Sequence, residues 1–240
     1  MVSATDIAAS SVSLAPSELA RPETEELVPH SAGSVWSRRF VEGTRAIVFS
    51  SQGVDPQGQP VSQAFRYDTQ TKVLEQLTFD AGPKSQVFMW RAPEFGGNFV
   101  FFTLVNRNEL RFYRKIDVNG DGNPVWTAFN SVFAPPWSAN IWSPEPFVHG
   151  GKSYVTLVIS PSTAIFDIRV PTHVAMVSPR DSALKVLTDP RGPKRVRSDP
   201  EVYVTQNGPY IYYNSYVPQT GTSPGTQNGV WRIDPGLGPP

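Results

Sequence analysis

An internal repeat of about 50 residues is the feature that most constrains this chain. Its copies share a Pro-Glu pair, a turn containing glycine and a following apolar strand. The clear copies cover residues 91–103, 143–156 and 199–213, and a degenerate copy covers residues 36–50. Self-similarity at such a period is typical of architectures in which one unit cannot bury its apolar face alone and must pack against its neighbours.

Each repeat also contains further strand-like segments. β-Branched and aromatic runs bounded by Gly, Pro, Asn or Asp predict strands at residues 45–50, 98–103, 153–159 and 209–213. A second such segment follows each one, at residues 63–68, 109–114, 172–177 and 229–234. A third, which contains a Leu-Thr pair, lies at residues 74–78 and 184–188. Helical patterns are confined to two short segments near the N-terminus, so the sequence predicts an all-β protein.

Four strands in about 50 residues is the size of one β-propeller blade. We therefore predict a small β-propeller of four four-stranded blades over residues 33–240, with a fifth blade left open. Residues 1–32 are rich in Ser, Ala, Pro and Glu, and we expect a flexible or strand-donating segment there. The last repeat ends before an outermost strand, and residues 25–29 are our hypothesis for that strand.

Composition excludes several classes of function. A chain of 240 residues with 39% hydrophobic residues is too rich in core formers to be disordered. Because 21 basic residues balance 21 acidic ones, we expect no nucleic-acid partner. With no cysteine, the chain has no disulfide, Cys-ligated zinc site or thiol nucleophile. We expect a soluble protein with no membrane segment, either cytoplasmic or, after processing, secreted or periplasmic; the oligomeric state is left open.

Two family resemblances follow from these motifs. Residues 76–80, 90–102 and 142–145 resemble the blade pattern of TolB-type β-propellers, in which a Leu-Thr pair precedes a Trp-Ser-Pro-Asp-Gly turn and an apolar strand. Residues 142–147, 199–203 and 210–213 are similar, more weakly, to blades of five-bladed arabinanase-type glycosidases. The first resemblance implies a propeller fold, and the second implies a glycan-cleaving enzyme whose acidic residues lie on the inner strands.

The repeated acids are the sharpest candidates for chemistry. The beginning of a blade's inner strand usually faces the central channel, so we expect Glu94, Glu145 and Glu201, together with Asp199, to converge there. Converging carboxylates can bind a cation, hydrogen-bond a polyol or act as acid and base in hydrolysis. These four residues are therefore the candidate catalytic groups. The alternative is that a residue repeated in every unit serves the blade itself, in a turn or an inter-blade hydrogen bond.

A ligand would also need neutral and cationic contacts. The candidate ligand-binding residues are Arg91, Trp137, Trp142, Glu145 and Asp199. The two tryptophans flank a Pro-rich loop, where aromatic rings would suit stacking on a sugar or another flat apolar ligand. Three functions are compatible with this set: a propeller that binds a polar small molecule or glycan, a glycosidase-like or lyase-like enzyme, and a protein-interaction scaffold. Whether the chain is an enzyme is left open.

Calcium is the one cofactor that the sequence suggests. Asp117, Asn119 and Asp121, followed by Gly122, match the first half of a calcium-binding loop. Ala128 occupies the position of the bidentate glutamate of an EF-hand, which excludes the complete motif. Either a weaker calcium site or a plain turn between two strands fits this segment. The histidines show no metal-ligand spacing, and we expect His149 in a solvated hairpin turn.

Overall fold

The computed structural model describes residues 35–164, 166–223 and 225–239. The described chain is built of antiparallel strands that form four sheets, with one short 3-10 helix at Pro93–Phe95. The prediction of an all-β protein is therefore confirmed. No helix in these ranges is long and apolar enough to cross a membrane.

Each sheet is formed by consecutive strands. The first contains β1 Val35–Phe40, β2 Ala46–Val54, β3 Pro60–Asp68 and β4 Leu74–Gln76. The second contains β5 Lys84–Ala92, β6 Asn98–Val105, β7 Glu109–Ile116 and β8 Val125–Phe133. The third contains β9 Asn140–His149, β10 Lys152–Ser160, β11 His173–Val177 and β12 Lys185–Val186. The fourth contains β13 Val196–Thr205, β14 Gly208–Val217 and β15 Thr226–Ile233. Because every strand pairs with its chain neighbours, each sheet is a meander of the kind that forms a propeller blade.

Apolar clusters lie between consecutive sheets and hold them face to face. Val48 of the first sheet packs in one cluster with Phe101 of the second. Phe102 of the second shares a cluster with Leu157 of the third, and Met176 of the third shares one with Ile211 of the fourth. These residues are almost fully buried, which stabilises the stack by about 25 cal/mol for each Å² of apolar surface removed from water. The predicted small propeller of four blades is thus the observed architecture.

The Leu-Thr repeat has a structural role in two blades. The Thr78 hydroxyl accepts a hydrogen bond from the Ala64 amide at 2.9 Å and donates one to Gln63 Oε1 at 2.6 Å. Thr188 Oγ1 likewise accepts from the Val174 amide at 3.2 Å. Each threonine therefore continues the pairing of its blade's third strand just beyond the short outermost strand.

The fourth blade has three described strands, and β15 lies at its edge. Val230 and Trp231 on this strand are 65% and 51% exposed. The three strands found among the described residues agree with the expectation that the last repeat ends before an outermost strand. Residues 1–32, including the strand-donating segment predicted at residues 25–29, lie outside the described residues.

Candidate functional site

A bulge interrupts the innermost strand of every blade. Each innermost strand pairs with the second strand of its blade, and the register of this pairing shifts near the middle of the strand. The innermost strands are β1, β5, β9 and β13. In three of the blades a non-glycine residue at the bulge has a left-handed backbone: Gln86, Ser143 and Asp199, with φ of 55°, 49° and 50°. Such residues are uncommon outside glycine, and bulges redirect the side chains that follow them. The bulge therefore defines equivalent positions among the four inner strands.

This geometry corrects the alignment of the repeated glutamates. Glu145 and Glu201 each lie two residues after the left-handed residue and pair with the second strand of their blade. The equivalent positions in the first and second blades are occupied by Arg39 and Phe88. Glu94 lies instead in the 3-10 helix beyond the end of β5. The prediction that Glu94 is equivalent to the other two glutamates is therefore wrong. Strand pairing defines which positions are equivalent, and the recurring Pro-Glu motif does not.

Three of these equivalent positions meet at one cavity. Arg39 Nη2 lies 3.8 Å from Glu145 Oε1, and the Arg39 guanidinium carbon lies 4.8 Å from the centre of the Phe88 ring. The cavity has a volume of about 360 Å³, and its walls include Arg39, Phe40, Phe88, Trp90, Glu145 and Phe147. Strands β1, β5 and β9 thus bring Arg39, Glu145 and several aromatic rings together, and Glu42, just after β1, adds a second carboxylate to the walls.

Electrostatics makes the Glu145 carboxyl unusual. Burial raises the pKa of Glu145, and the negative charge of Glu201 raises it further, while the Arg39 guanidinium lowers it. The two glutamates at equivalent inner-strand positions are therefore close enough to influence each other. A carboxyl with a raised pKa keeps its proton to a higher pH than an ordinary carboxyl, as a hydrogen-bond donor or a general acid needs.

Asp199 is the bulge residue of the fourth blade. It is exposed, and its Oδ2 accepts hydrogen bonds from the Ser198 hydroxyl at 3.0 Å and from Asn214 Nδ2 at 3.4 Å. These neighbours belong to β13 and β14 of the same blade. In the described structure the Asp199 side chain is thus hydrogen-bonded within its own blade, two residues before Glu201 on β13.

Glu94 joins the second blade to the third. Its Oε2 accepts hydrogen bonds from the Ser153 amide at 3.2 Å and from the Ser153 hydroxyl at 2.9 Å. Trp90 Nε1 donates to the same hydroxyl at 2.8 Å. Arg91 is exposed and lies over the Phe99 ring at 4.2 Å. Glu94 therefore makes an inter-blade hydrogen bond, which is the structural role given above as the alternative to a chemical one. Neither Glu94 nor Arg91 lines the Glu145 cavity.

The two candidate tryptophans lie apart from this cavity. Trp142 is 9% exposed and packs edge-on against Phe166, with 5.7 Å between ring centres. Trp137 is 47% exposed and packs edge-on against His173 at 5.4 Å. Together with Lys194 and three prolines, Trp137 and His173 line a separate depression of about 390 Å³. Trp137 is therefore an exposed aromatic surface, whereas Trp142 is mostly core.

The candidate calcium loop joins β7 to β8 and forms a turn. The Asp117 carboxylate accepts hydrogen bonds from the Asp121 amide at 3.1 Å and from the Gly122 amide at 2.9 Å. These backbone donors lower the pKa of Asp117. Asp121 Oδ1 accepts a hydrogen bond from the Asn123 amide at 2.9 Å. Over the described ranges no group of three or more His, Asp or Glu side chains is arranged to hold a metal ion.

Sequence reasoning missed Arg39 and misplaced His149. Arg39 lies in the degenerate first repeat, and its equivalence to Glu145 carries no sequence signal because the residue types differ. His149 is 7% exposed, and its Nε2 lies 3.0 Å from the Gly238 carbonyl oxygen. The expectation of a solvated turn at His149 is therefore wrong, since the C-terminal segment folds back over the end of β9.

No protein-family model and no curated protein matches this chain. Among solved structures, puromycin hydrolase is 11% identical, with 79% of this chain and 29% of that chain covered and a TM-score of 0.46. The Penicillium chrysogenum alpha-L-arabinanase complexed with arabinobiose is 10% identical, with 82% and 62% covered and a TM-score of 0.48. An endo-arabinase from Bacteroides thetaiotaomicron is 10% identical, with 82% and 72% covered and a TM-score of 0.39.

The chain thus spans less than a third of the puromycin hydrolase and 62% of the Penicillium enzyme. Two of these structures are arabinan-cleaving enzymes by name, the group to which the weaker sequence resemblance points. The resemblance to TolB-type propellers stays a prediction. Likeness at this level carries no argument about activity.

Proposed function

We propose that this chain is a ligand-recognition propeller that binds a polar small molecule or a glycan in the Glu145 cavity. The observation that carries the proposal is the convergence of Arg39 and Glu145 beside the Phe88 ring, from three different blades. A volume of about 360 Å³ lies in the range of small-molecule sites.

The chemistry of the cavity suits a sugar. Sugars combine hydroxyl groups with a flat apolar face, so they need charged hydrogen-bonding groups and aromatic rings side by side. Arg39 supplies donors, the Glu145 carboxyl supplies acceptors, and Phe88 and Trp90 supply rings. The Arg39–Glu145 pair is 3.8 Å apart and its side chains are 44% and 31% exposed, so it adds little stability and leaves both groups available to a ligand.

A thermal-shift screen of oligosaccharides and polar metabolites tests this proposal. We expect at least one compound to raise the melting temperature of the native chain, and Glu145→Gln and Arg39→Gln each to reduce that shift strongly. Arg191→Gln is the matched control, because it removes the same charge from a side chain that is 95% exposed and far along the chain from the cavity. A shift that survives both cavity substitutions, or a broad panel with no shift, would contradict the proposal. Asp199→Asn in the same panel tests the remaining acidic candidate.

A glycosidase-like enzyme is the second candidate, and one observation favours it. Burial and the nearby Glu201 carboxylate raise the pKa of Glu145, as a general acid needs, and Glu201 is the candidate partner base. Release of reducing sugar from oligosaccharides would be the measurement. Activity that disappears in both Glu145→Gln and Glu201→Gln would support the enzyme, whereas binding without turnover would favour recognition alone.

A further inference from the structure

We infer that the chain has a second binding site, for a small organic anion with a flat apolar part, between the first and second blades. A cavity of about 530 Å³ lies there, larger than the Glu145 cavity. Its walls include Arg66, Glu75, Phe99, Arg114, Lys115 and Trp126. The two cavities share only Met89 as a lining residue, and the inference does not depend on the function proposed above.

The charge of this cavity is positive. Arg66 is paired with two carboxylates, Asp68 at 3.5 Å and Glu75 at 3.7 Å. Arg114 and Lys115 have no ion-pair partner among the described residues. The uncompensated charges are therefore the two cations on β7. Arg114 is partly buried and Lys115 is exposed, so water screens the charge of Arg114 less and Arg114 should attract an anion more strongly.

Two buried donors on the cavity wall lack acceptors. Arg114 Nε and Trp126 Nε1 are both inaccessible to bulk water, and neither has a hydrogen-bond partner among the described residues. A buried N–H without an acceptor is costly, so such groups are rare and call for an explanation. Both groups are hydrogen-bond donors, so each needs an acceptor such as an oxygen atom. A cation or another donor could not form a hydrogen bond with them. Because neither atom is open to solvent, the inference requires the Arg114 and Trp126 side chains to move when the anion binds.

Aromatic contacts already hold these groups in place. The Arg114 guanidinium carbon lies 5.2 Å from the centre of the Phe95 ring and 5.4 Å from that of Phe129. Arg180 lies over the same Phe95 ring at 4.7 Å, and Lys115 Nζ lies 5.5 Å from the Trp126 ring. These contacts fix the cations but leave Arg114 Nε without an acceptor. The Phe95 and Phe99 rings also line the cavity and offer apolar surface to a flat ligand.

Indole N–H resonances provide a direct readout of this site. Benzoate and phenyl phosphate would be titrated into the isotope-labelled chain, with benzamide as the neutral match for benzoate. The Trp126 Nε1–H signal is assigned by its loss in Trp126→Phe. We expect both anions to move this signal at millimolar concentration, benzamide not to move it, and added salt to weaken the effect.

Substitutions then locate the binding. We expect Arg114→Gln to weaken binding by about tenfold and Lys115→Gln to weaken it less, since Lys115 is exposed. Arg191→Gln and Glu145→Gln should leave the affinity unchanged. Lys115→Gln keeps the test valid if Arg114→Gln does not fold. Equal shifts with benzamide and benzoate, no shift at millimolar anion, or an affinity that Lys115→Gln leaves unchanged would overturn the inference.

Discussion

Arg39 and Glu145 occupy equivalent inner-strand positions in the first and third blades, and their side chains lie 3.8 Å apart. The repeat thus builds one position four times, and the sequence fills it with Arg39, Phe88, Glu145 and Glu201. Because three different residue types occupy the same backbone setting, a symmetric architecture produces an asymmetric site. Three of these side chains, the Arg39 cation, the Phe88 ring and the Glu145 carboxyl, line one cavity.

The pKa of Glu145 should respond to its two charged neighbours in opposite directions. Arg39→Gln removes the positive charge that lowers this pKa, so the pKa should rise further. Glu201→Gln removes the negative charge that raises it, so the pKa should fall. A titration of the glutamate side-chain carbons by NMR measures both shifts, with Arg191→Gln as the control. Shifts of the reverse sign would show that the neighbours of Glu145 differ from those described.

The same raised pKa predicts how stability depends on pH. Between the ordinary value of 4.5 and the higher folded value, the folded state binds the Glu145 proton more tightly than the unfolded state. The contribution of this residue to the free energy of unfolding is therefore favourable at low pH and is lost as the pH rises through that window. Urea unfolding at several pH values should show this fall in the native chain and a smaller fall in Glu145→Gln. An identical pH dependence in both proteins would contradict the expectation.

Thr78 should stabilise the first blade through its hydroxyl. Thr78→Val keeps the shape but leaves the Ala64 amide and Gln63 Oε1 without their partner, at 2.9 and 2.6 Å in the native chain. We expect a loss of about 1–3 kcal/mol in the free energy of unfolding, because both groups are buried. Thr78→Ser retains the hydroxyl and is the matched control. Equal stability of the Val and Ser variants by urea unfolding would show that the hydrogen bonds contribute little.

Ser143 should tolerate glycine better than valine. Its φ of 49° lies in the left-handed region, which glycine adopts freely and β-branched residues avoid. We expect Ser143→Val to cost about 1–3 kcal/mol and to disturb the inner strand that carries Glu145, and Ser143→Gly to be nearly neutral. Thermal unfolding of both variants tests this, and comparable melting temperatures would indicate that the bulge can be rebuilt without strain.

The open edge of the fourth blade leads to a prediction about the N-terminus. If residues 25–29 supply the missing strand beside β15, deletion of residues 1–32 should lower the melting temperature sharply. Deletion of residues 1–20 removes most of the segment but keeps residues 25–29, and it should leave the melting temperature nearly unchanged. The strand-donating hypothesis would be wrong if the longer deletion were equally harmless.

Much of the fold was predictable, because strands and turns depend on neighbouring residues. The predicted strand segments at residues 98–103, 109–114 and 153–159 lie within β6, β7 and β10. The site was less predictable. Glu145 and Glu201 were recognised as candidates by their shared Pro-Glu motif, but the same motif misleadingly included Glu94. Glu94 lies six residues beyond Phe88, the equivalent position of the second blade, and the sequence alone does not show where a bulge shifts the register.

The sequence by itself determined that the chain is all-β, that it repeats, and where its blades are divided. Those properties follow from β-branched and aromatic runs, from Gly and Pro turns and from the Leu-Thr pairs, all of which act over a few residues. Only the tertiary structure decided that Arg39 faces Glu145, that Glu94 bonds to Ser153, and that Arg114 and Trp126 share a cavity. The contacts of Arg39 with Glu145 and of Glu94 with Ser153 join segments far apart in the chain, and the packing of one blade on the next determines that these side chains meet. Arg114 and Trp126 lie on the paired strands β7 and β8, where strand register determines their placement.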